Sequence, residues 1–119
     1  MKHTVVLVDD HPVFRQGLRH LLDKAEDLRV IGEAGDGQAG IQMVRKLSPD
    51  LVVMDINMPN LDGIEATRRI LSESPGTRVV ALSVHSGKQF VRDMIQAGAT
   101  GYILKESVPE EMIEGIRTA

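Results

Sequence analysis

"LRVIGEA", residues 28–34, opens as a short apolar run, Leu28 to Ile31, but Arg29, Gly32 and Glu33 break its apolar character. A strand inside a parallel sheet is covered on both faces and needs a near-continuous apolar run, so this one suits an edge. Four further runs, Val5 to Val8, Leu51 to Met54, Val79 to Leu82 and Tyr102 to Leu104, carry no such interruption. Five strands are therefore expected, with the second at the border of the sheet.

The segments between the runs have helical rather than alternating periodicity. Phe14, Leu18, Leu21 and Leu22 share one helical face, with Pro12 in the first turn, where a missing N–H costs nothing. Ile41, Val44 and Leu47 form a second face, and Ser48-Pro49 ends it. Asp62-Gly-Ile-Glu65 has a capping-box pattern before Ile64, Thr67, Ile70 and Leu71. Ser86-Gly-Lys-Gln89 is the expected cap of a fourth helix that turns Phe90, Val91, Met94 and Ile95 inward before Gly98. A fifth starts near Ser107-Val-Pro-Glu110 and presents Met112, Ile113 and Ile116. The pattern is (βα) five times over, which implies parallel strands, right-handed crossovers and helices on both faces. With the second strand at an edge, the expected fold is a flavodoxin-like three-layer sandwich with strand order 2-1-3-4-5. Such sheets bind ligands outside the carboxyl ends of the strands, at the switch point between strands 1 and 3.

Composition narrows the functional classes. A chain of 119 residues, 42% hydrophobic, suits one domain with a genuine core. A net charge of -3 without a Lys/Arg cluster gives no attraction to DNA, RNA or anionic lipid, so no DNA contact by this domain is expected. The absence of cysteine excludes disulfides and thiolate chemistry and fits a reducing, cytoplasmic setting. Val5 to Val8 is too short for a signal-peptide core or a membrane span.

Strand 1 ends in Asp9-Asp10 and strand 3 in Asp55, and the expected topology brings these ends together. Three carboxylates in one crevice call for a cation, and an all-oxygen set suits Mg²⁺ better than zinc. Lys105 at the end of strand 5 and Ser83 at the end of strand 4 add an ammonium and a hydroxyl. That inventory fits a phosphoryl group held beside Mg²⁺. His11 and His85 read as surface histidines.

In order and at suitable spacing, "VDDHP", "DINMPNLDG", "ALSVH" and "GYILKES" span nearly the whole chain. Together they resemble the receiver domain of bacterial two-component response regulators. "DDHPVFRQGL" and "GYILKES" are similar to the NarL/FixJ group, whose members carry a LuxR-type helix-turn-helix output domain. The resemblance implies that Asp55 is the phosphoacceptor, that Asp9, Asp10 and Asp55 hold Mg²⁺ with the Asn57 backbone carbonyl, and that Lys105 pairs with the phosphoryl oxygens. Ser83 and Tyr102 take the switch hydroxyl and aromatic places. A sensor histidine kinase is the implied phosphoryl donor, and acetyl phosphate a small-molecule substitute. Homodimers through helix 4, strand 5 and helix 5, or through helices 1 and 5, are an expectation of the family. The resemblance also places a DNA-binding output domain after residue 119, making residues 1–119 an excised receiver. Two positions depart from the pattern: Glu106 stands where many receivers have proline, and Ser83 replaces the commoner threonine. Asn57 and His85, each two residues beyond a chemical residue, are expected to tune water access to the phosphoryl group.

A competing motif is Gly35-Asp-Gly37-Gln-Ala-Gly40, which matches a dinucleotide fingerprint and has Asp55 about 20 residues beyond its first glycine. The strand before it is polar, Asp36 would put a negative charge in the pyrophosphate cradle, and the chain leaves little room for a substrate domain. The glycines are better explained by a tight turn into helix 2. A constitutive binding module that uses the fold without phosphorylation is the rival class.

Overall fold

The computed structural model describes residues 2–59 and 61–119. Ten elements alternate along the chain: β1 (His3–Val8), α1 (Pro12–Asp23), β2 (Leu28–Ala34), α2 (Gly37–Leu47), β3 (Leu51–Asp55), α3 (Gly63–Glu73), β4 (Arg78–Ser83), α4 (Lys88–Gln96), β5 (Gly101–Leu104) and α5 (Pro109–Thr118). The five strands are parallel and run in the order β2-β1-β3-β4-β5. The polar strand Leu28–Ala34 is an edge, as its composition requires. It also carries an irregularity, since pairing steps from Val5 with Val30 to Val6 with Gly32 and leaves Ile31 unmatched.

Alternate residues of the strands feed two separate cores. Val6, Val8, Val52, Met54, Val79 and Ala81 meet Ile41, Val44, Ala66, Ile70 and Met94 of α2, α3 and α4. On the other face Val5, Leu7, Leu51, Val53, Val80 and Leu82 meet Leu18, Leu22, Met112 and Ile116 of α1 and α5. Burying each such aliphatic side chain stabilises the fold by about 1.5–3 kcal/mol relative to leaving it in water.

Local signals act largely as the sequence indicates. Pro12 occupies the first turn of α1, Asp62 accepts from Glu65 N at 2.9 Å, and Ser48 ends α2 in the left-handed region at φ 46°. Thr67 is buried and donates to the Gly63 carbonyl at 2.7 Å. Three expectations fail. Gly87, rather than Ser86, occupies the N-cap position of α4 and that start has no side-chain cap, whereas α5 begins at Pro109, within the stretch expected for it. Leu47 and Ile95 are exposed, because α2 and α4 bury narrower stripes than their apolar residues span, α4 sealing only Met94 fully.

The glycines of the competing motif are packing positions. A Cβ at Gly40 would lie 2.9 Å from the Val8 side chain, and one at Gly37 would lie 2.6 Å from the Leu61 carbonyl. They let α2 sit close against β1 and the β3–α3 loop, where the backbone approach leaves no room for a side chain.

Candidate functional site

Every strand except β2 delivers a chemical group at its carboxyl end. Asp9 and Asp10 follow β1, Asp55 closes β3, Ser83 closes β4 and Lys105 follows β5. The convergence depends on register: Asp55 pairs with Leu82, which puts Ser83 one residue further out, and Lys105 N donates to the Ser83 carbonyl at 2.8 Å. Gly63 is required beside it, since any Cβ there would collide with the Asp55 carbonyl.

Asp9 and Asp55 are 2% and 3% exposed, so their charges are nearly removed from bulk water. Lys105 Nζ lies 2.9 Å from Asp9 Oδ2 and 3.4 Å from Asp55 Oδ2, over the ring of Phe14 at 4.7 Å. These contacts are ionic rather than directed: Asp9 Oδ2, Asp10 Oδ1 and Asp55 Oδ2 are buried without a hydrogen-bond donor. Buried carboxylate oxygens are ordinarily paired. Oxygens left bare here and turned towards one another fit a hard divalent cation, and Asp9, Asp10, His11 and Asp55 offer ligand atoms within 4.8 Å of one another.

The arrangement acts on the ionisation of Asp55. Its pKa is raised to about 6: burial pushes it up, Lys105 draws it down, and the neighbouring charges of Asp9 and Asp10 raise it again. The acid that the topology places at the centre is thus harder to keep ionised than an ordinary aspartate.

Two histidines read from sequence as surface residues belong to the site. His11 N donates to Asp9 Oδ1 at 2.7 Å, and its ring Nδ1 sits 3.2–3.3 Å from oxygens of both Asp9 and Asp10. His85 is half-buried and a junction. Its N–H donates to Ser83 Oγ at 2.9 Å, its carbonyl accepts from the Tyr102 hydroxyl at 2.7 Å, and its ring stacks on Phe90 with centroids 4.3 Å apart. Its Nε2 also contacts the Asn57 amide. Asn57 and His85 thus meet across the site's mouth, while Tyr102 is half-buried against the α4 side of the core.

Arg15 is a contributor that sequence reasoning passed over. Its guanidinium contacts the Asp9 carbonyl and its Nε binds Glu33 Oε1 at 3.1 Å, with Arg19 on Glu33 Oε2 at 2.5 Å. Burial raises the Glu33 pKa, but hydrogen bonds from Arg19 and Arg15 outweigh it and hold the carboxyl below its usual range. The polar residue that marks β2 as an edge therefore anchors the loop bearing Asp9. The only sequence signal was Arg15 one helical turn beyond His11.

Comparison with known proteins agrees with this geometry. The response regulator receiver domain family matches residues 5–117. The "uncharacterized transcriptional regulatory protein YxjL" of Bacillus subtilis is 42% identical over 118 residues, covering 99% of this chain and 54% of that protein. The nitrate/nitrite response regulator NarL of Escherichia coli K12 is 37% identical, covering 98% of this chain and 54% of its own length. The chain thus spans about half the length of these curated relatives. Among solved structures, the receiver domain of the putative response regulator NarL from Mycobacterium tuberculosis superposes with a TM-score of 0.93 at 34% identity, over 98% of this chain and 94% of that one. A LuxR-family two-component response regulator from Aurantimonas gives a TM-score of 0.95 at 36% identity, over 99% and 84% of the two chains. Fold, strand-end chemistry and relatives agree: the chain belongs to the response regulator receiver domains, as a receiver of the two-component regulators related to NarL.

Proposed function

We propose that Asp55 accepts a phosphoryl group from the phosphohistidine of a sensor histidine kinase, and that the acyl phosphate switches a DNA-binding output. One observation carries this reading: a nearly buried carboxylate at a strand end, its Oδ2 without a hydrogen-bond donor and within 3.4 Å of a lysine ammonium. An oxygen of Asp55 attacks phosphorus, the bond from phosphorus to the donor's imidazole nitrogen breaks, and the electron pair leaves with the imidazole. Lys105 places positive charge against the phosphoryl oxygens, shifting from its pairing with Asp9 and Asp55. Asp9, Asp10, Asp55 and the Asn57 carbonyl would hold Mg²⁺, which supplies charge screening between the two anions.

The phosphoryl group adds a charge of about -1.5 to -2 beside Ser83. Ser83 Oγ accepts from His85 N, which leaves its own O–H free to turn to a phosphoryl oxygen. Moving Ser83 pulls on His85, whose carbonyl holds the Tyr102 hydroxyl, so displacement passes to β5 and to the surface of α4, β5 and α5. The site thereby assists phosphoryl transfer to and from its own aspartate and acts as a switch. The output domain, the kinase and a cytoplasmic location complete the reading by kinship with NarL-type regulators; among the described residues no helix is long and apolar enough to cross a membrane.

Intact mass after incubation with Mg²⁺ and acetyl phosphate tests it. The expected result is a labile gain of about 80 Da, one phosphoryl group, absent in Asp55→Asn. If neither acetyl phosphate nor any histidine kinase gives a gain, the chain is instead a constitutive binding module of the same fold.

A further inference from the structure

His11 differs from the other members of the acidic cluster in offering nitrogen. Its Nδ1 lies 3.2 Å from Asp10 Oδ1, 3.3 Å from Asp9 Oδ1 and 3.8 Å from Asp55 Oδ2. Helix capping does not account for the ring's position. His11 is the N-cap residue of α1, yet its side chain makes no capping bond and is 63% exposed. The Lys105 ammonium lies 3.3 Å from Nδ1 and 2.9 and 3.4 Å from Asp9 Oδ2 and Asp55 Oδ2, so His11, Asp9 and Asp55 already converge on positive charge, and a metal ion shared by all four groups would displace that ammonium. Adjacent corners of an octahedron with metal–ligand bonds of about 2.1 Å lie about 3.0 Å apart, close to the two shorter separations. Independently of the cluster's charge, Asp9 Oδ2 and Asp55 Oδ2 are buried oxygens without a hydrogen-bond donor, on residues 2% and 3% exposed.

We propose that His11 Nδ1 is a ligand to the cation held by Asp9, Asp10 and Asp55, so that the pocket accepts borderline transition ions such as Ni²⁺ and binds them more tightly than Mg²⁺. The inference rests on the reading of this pocket as a divalent-cation site. Imidazole contributes little to the binding of Mg²⁺, which favours oxygen, and much to that of Ni²⁺. Which metal the receiver carries then depends on a loop residue outside the carboxylate set, and on the ions available.

Calorimetric titration of the unphosphorylated chain with MgCl₂ and with NiCl₂, for wild type and His11→Ala, provides the test. The buffer pH is held above the ordinary histidine pKa of about 6.5. Only Ni²⁺ that excess Mg²⁺ displaces is counted, which removes binding at His3 and His20. Wild type should bind both ions at one shared site, and His11→Ala should weaken Ni²⁺ about 10- to 100-fold while leaving Mg²⁺ nearly unchanged. An unchanged Ni²⁺ affinity overturns the proposal and leaves the Mg²⁺ reading standing. Equal weakening of both ions also overturns it, because His11 then acts only by holding the loop. Failure of the wild type to bind either ion removes the cation site itself.

Discussion

Asp50 precedes and Asp55 closes the five-residue strand β3, and the two have opposite fates. At the amino end, Asp50 is exposed and hydrogen-bonded to β1: Thr4 N donates to its Oδ2 at 2.9 Å, Thr4 Oγ1 lies 3.2 Å from the same oxygen, and Asp50 N donates back to Thr4 Oγ1 at 2.9 Å. The backbone hydrogen bond from Thr4 leads the effects that hold its pKa below the usual value. At the carboxyl end, Asp55 is nearly buried, one of its oxygens lacks a donor, and its pKa is pushed up to about 6. One carboxylate ties β3 to β1, and the other is left reactive. Stability and function are segregated to opposite ends of the same strand.

The sharpest way to probe the reactive end is to remove the ammonium beside it. Lys105→Gln leaves Asp9 and Asp55 facing each other without that counter-charge, and takes a fixed positive group from the transferring phosphoryl oxygens. The initial rate of mass gain from acetyl phosphate should fall about 100-fold or more, the scale of losing one preorganised electrostatic partner. The Asp50→Asn chain, altered at the quiet end, should react at the wild-type rate. A Lys105→Gln chain as fast as wild type would end the assignment of this lysine.

Stability should move in opposite directions at the two ends. Asp55 has a raised folded-state pKa, so the fold loses stability as pH rises from about 4 to about 6, and the full cost persists above that window. Asp55→Asn should therefore stabilise the cation-free protein by about 1–3 kcal/mol near neutral pH, an advantage that vanishes below about pH 4. Asp50 has a lowered pKa, so its contribution is present above its unfolded value and fades as acid protonates it. Asp50→Ala should cost about 0.5–1.5 kcal/mol at neutral pH. Urea unfolding at two pH values separates these cases, and a destabilised Asp55→Asn near neutrality would contradict the account of Asp55.

The contrast also explains what was legible in the sequence. Asp9, Asp10, Asp55, Ser83 and Lys105 stand at ends of apolar runs, and once alternation sets a parallel sheet their convergence follows from topology alone. The edge position of β2 was legible because Arg29 and Glu33 are incompatible with two buried faces. Less accessible were contacts set by side-chain reach rather than by strand order. Arg15 crosses from α1 to the Asp9 carbonyl and to Glu33, and nothing in the spacing of polar residues distinguishes it from a solvated arginine. Leu47 and Ile95 failed as core residues for a related reason: periodicity identifies a helical face, but the neighbouring element decides how wide a stripe it covers.

The smallest expected effect concerns how long the reactive end stays modified. Asn57 and His85 come from different loops, yet the Asn57 amide meets the His85 ring while that ring stacks on Phe90. The contact lies at the mouth above Asp55, where a water attacking phosphorus from outside would pass. His85→Ala removes the ring and leaves the backbone groups that serve Ser83 and Tyr102, so the switch connection persists while the mouth opens. Dephosphorylation after donor removal should then change about 2- to 10-fold, the range of one hydrogen bond's net worth in a rate. Asn57→Ala opens the same contact from the other side and should act in the same direction. The double variant should match the larger single effect rather than their product, because both substitutions break one contact. Single variants that each leave the lifetime unaltered would reduce this pair to packing, and the reactive end would then consist of the strand-end residues alone.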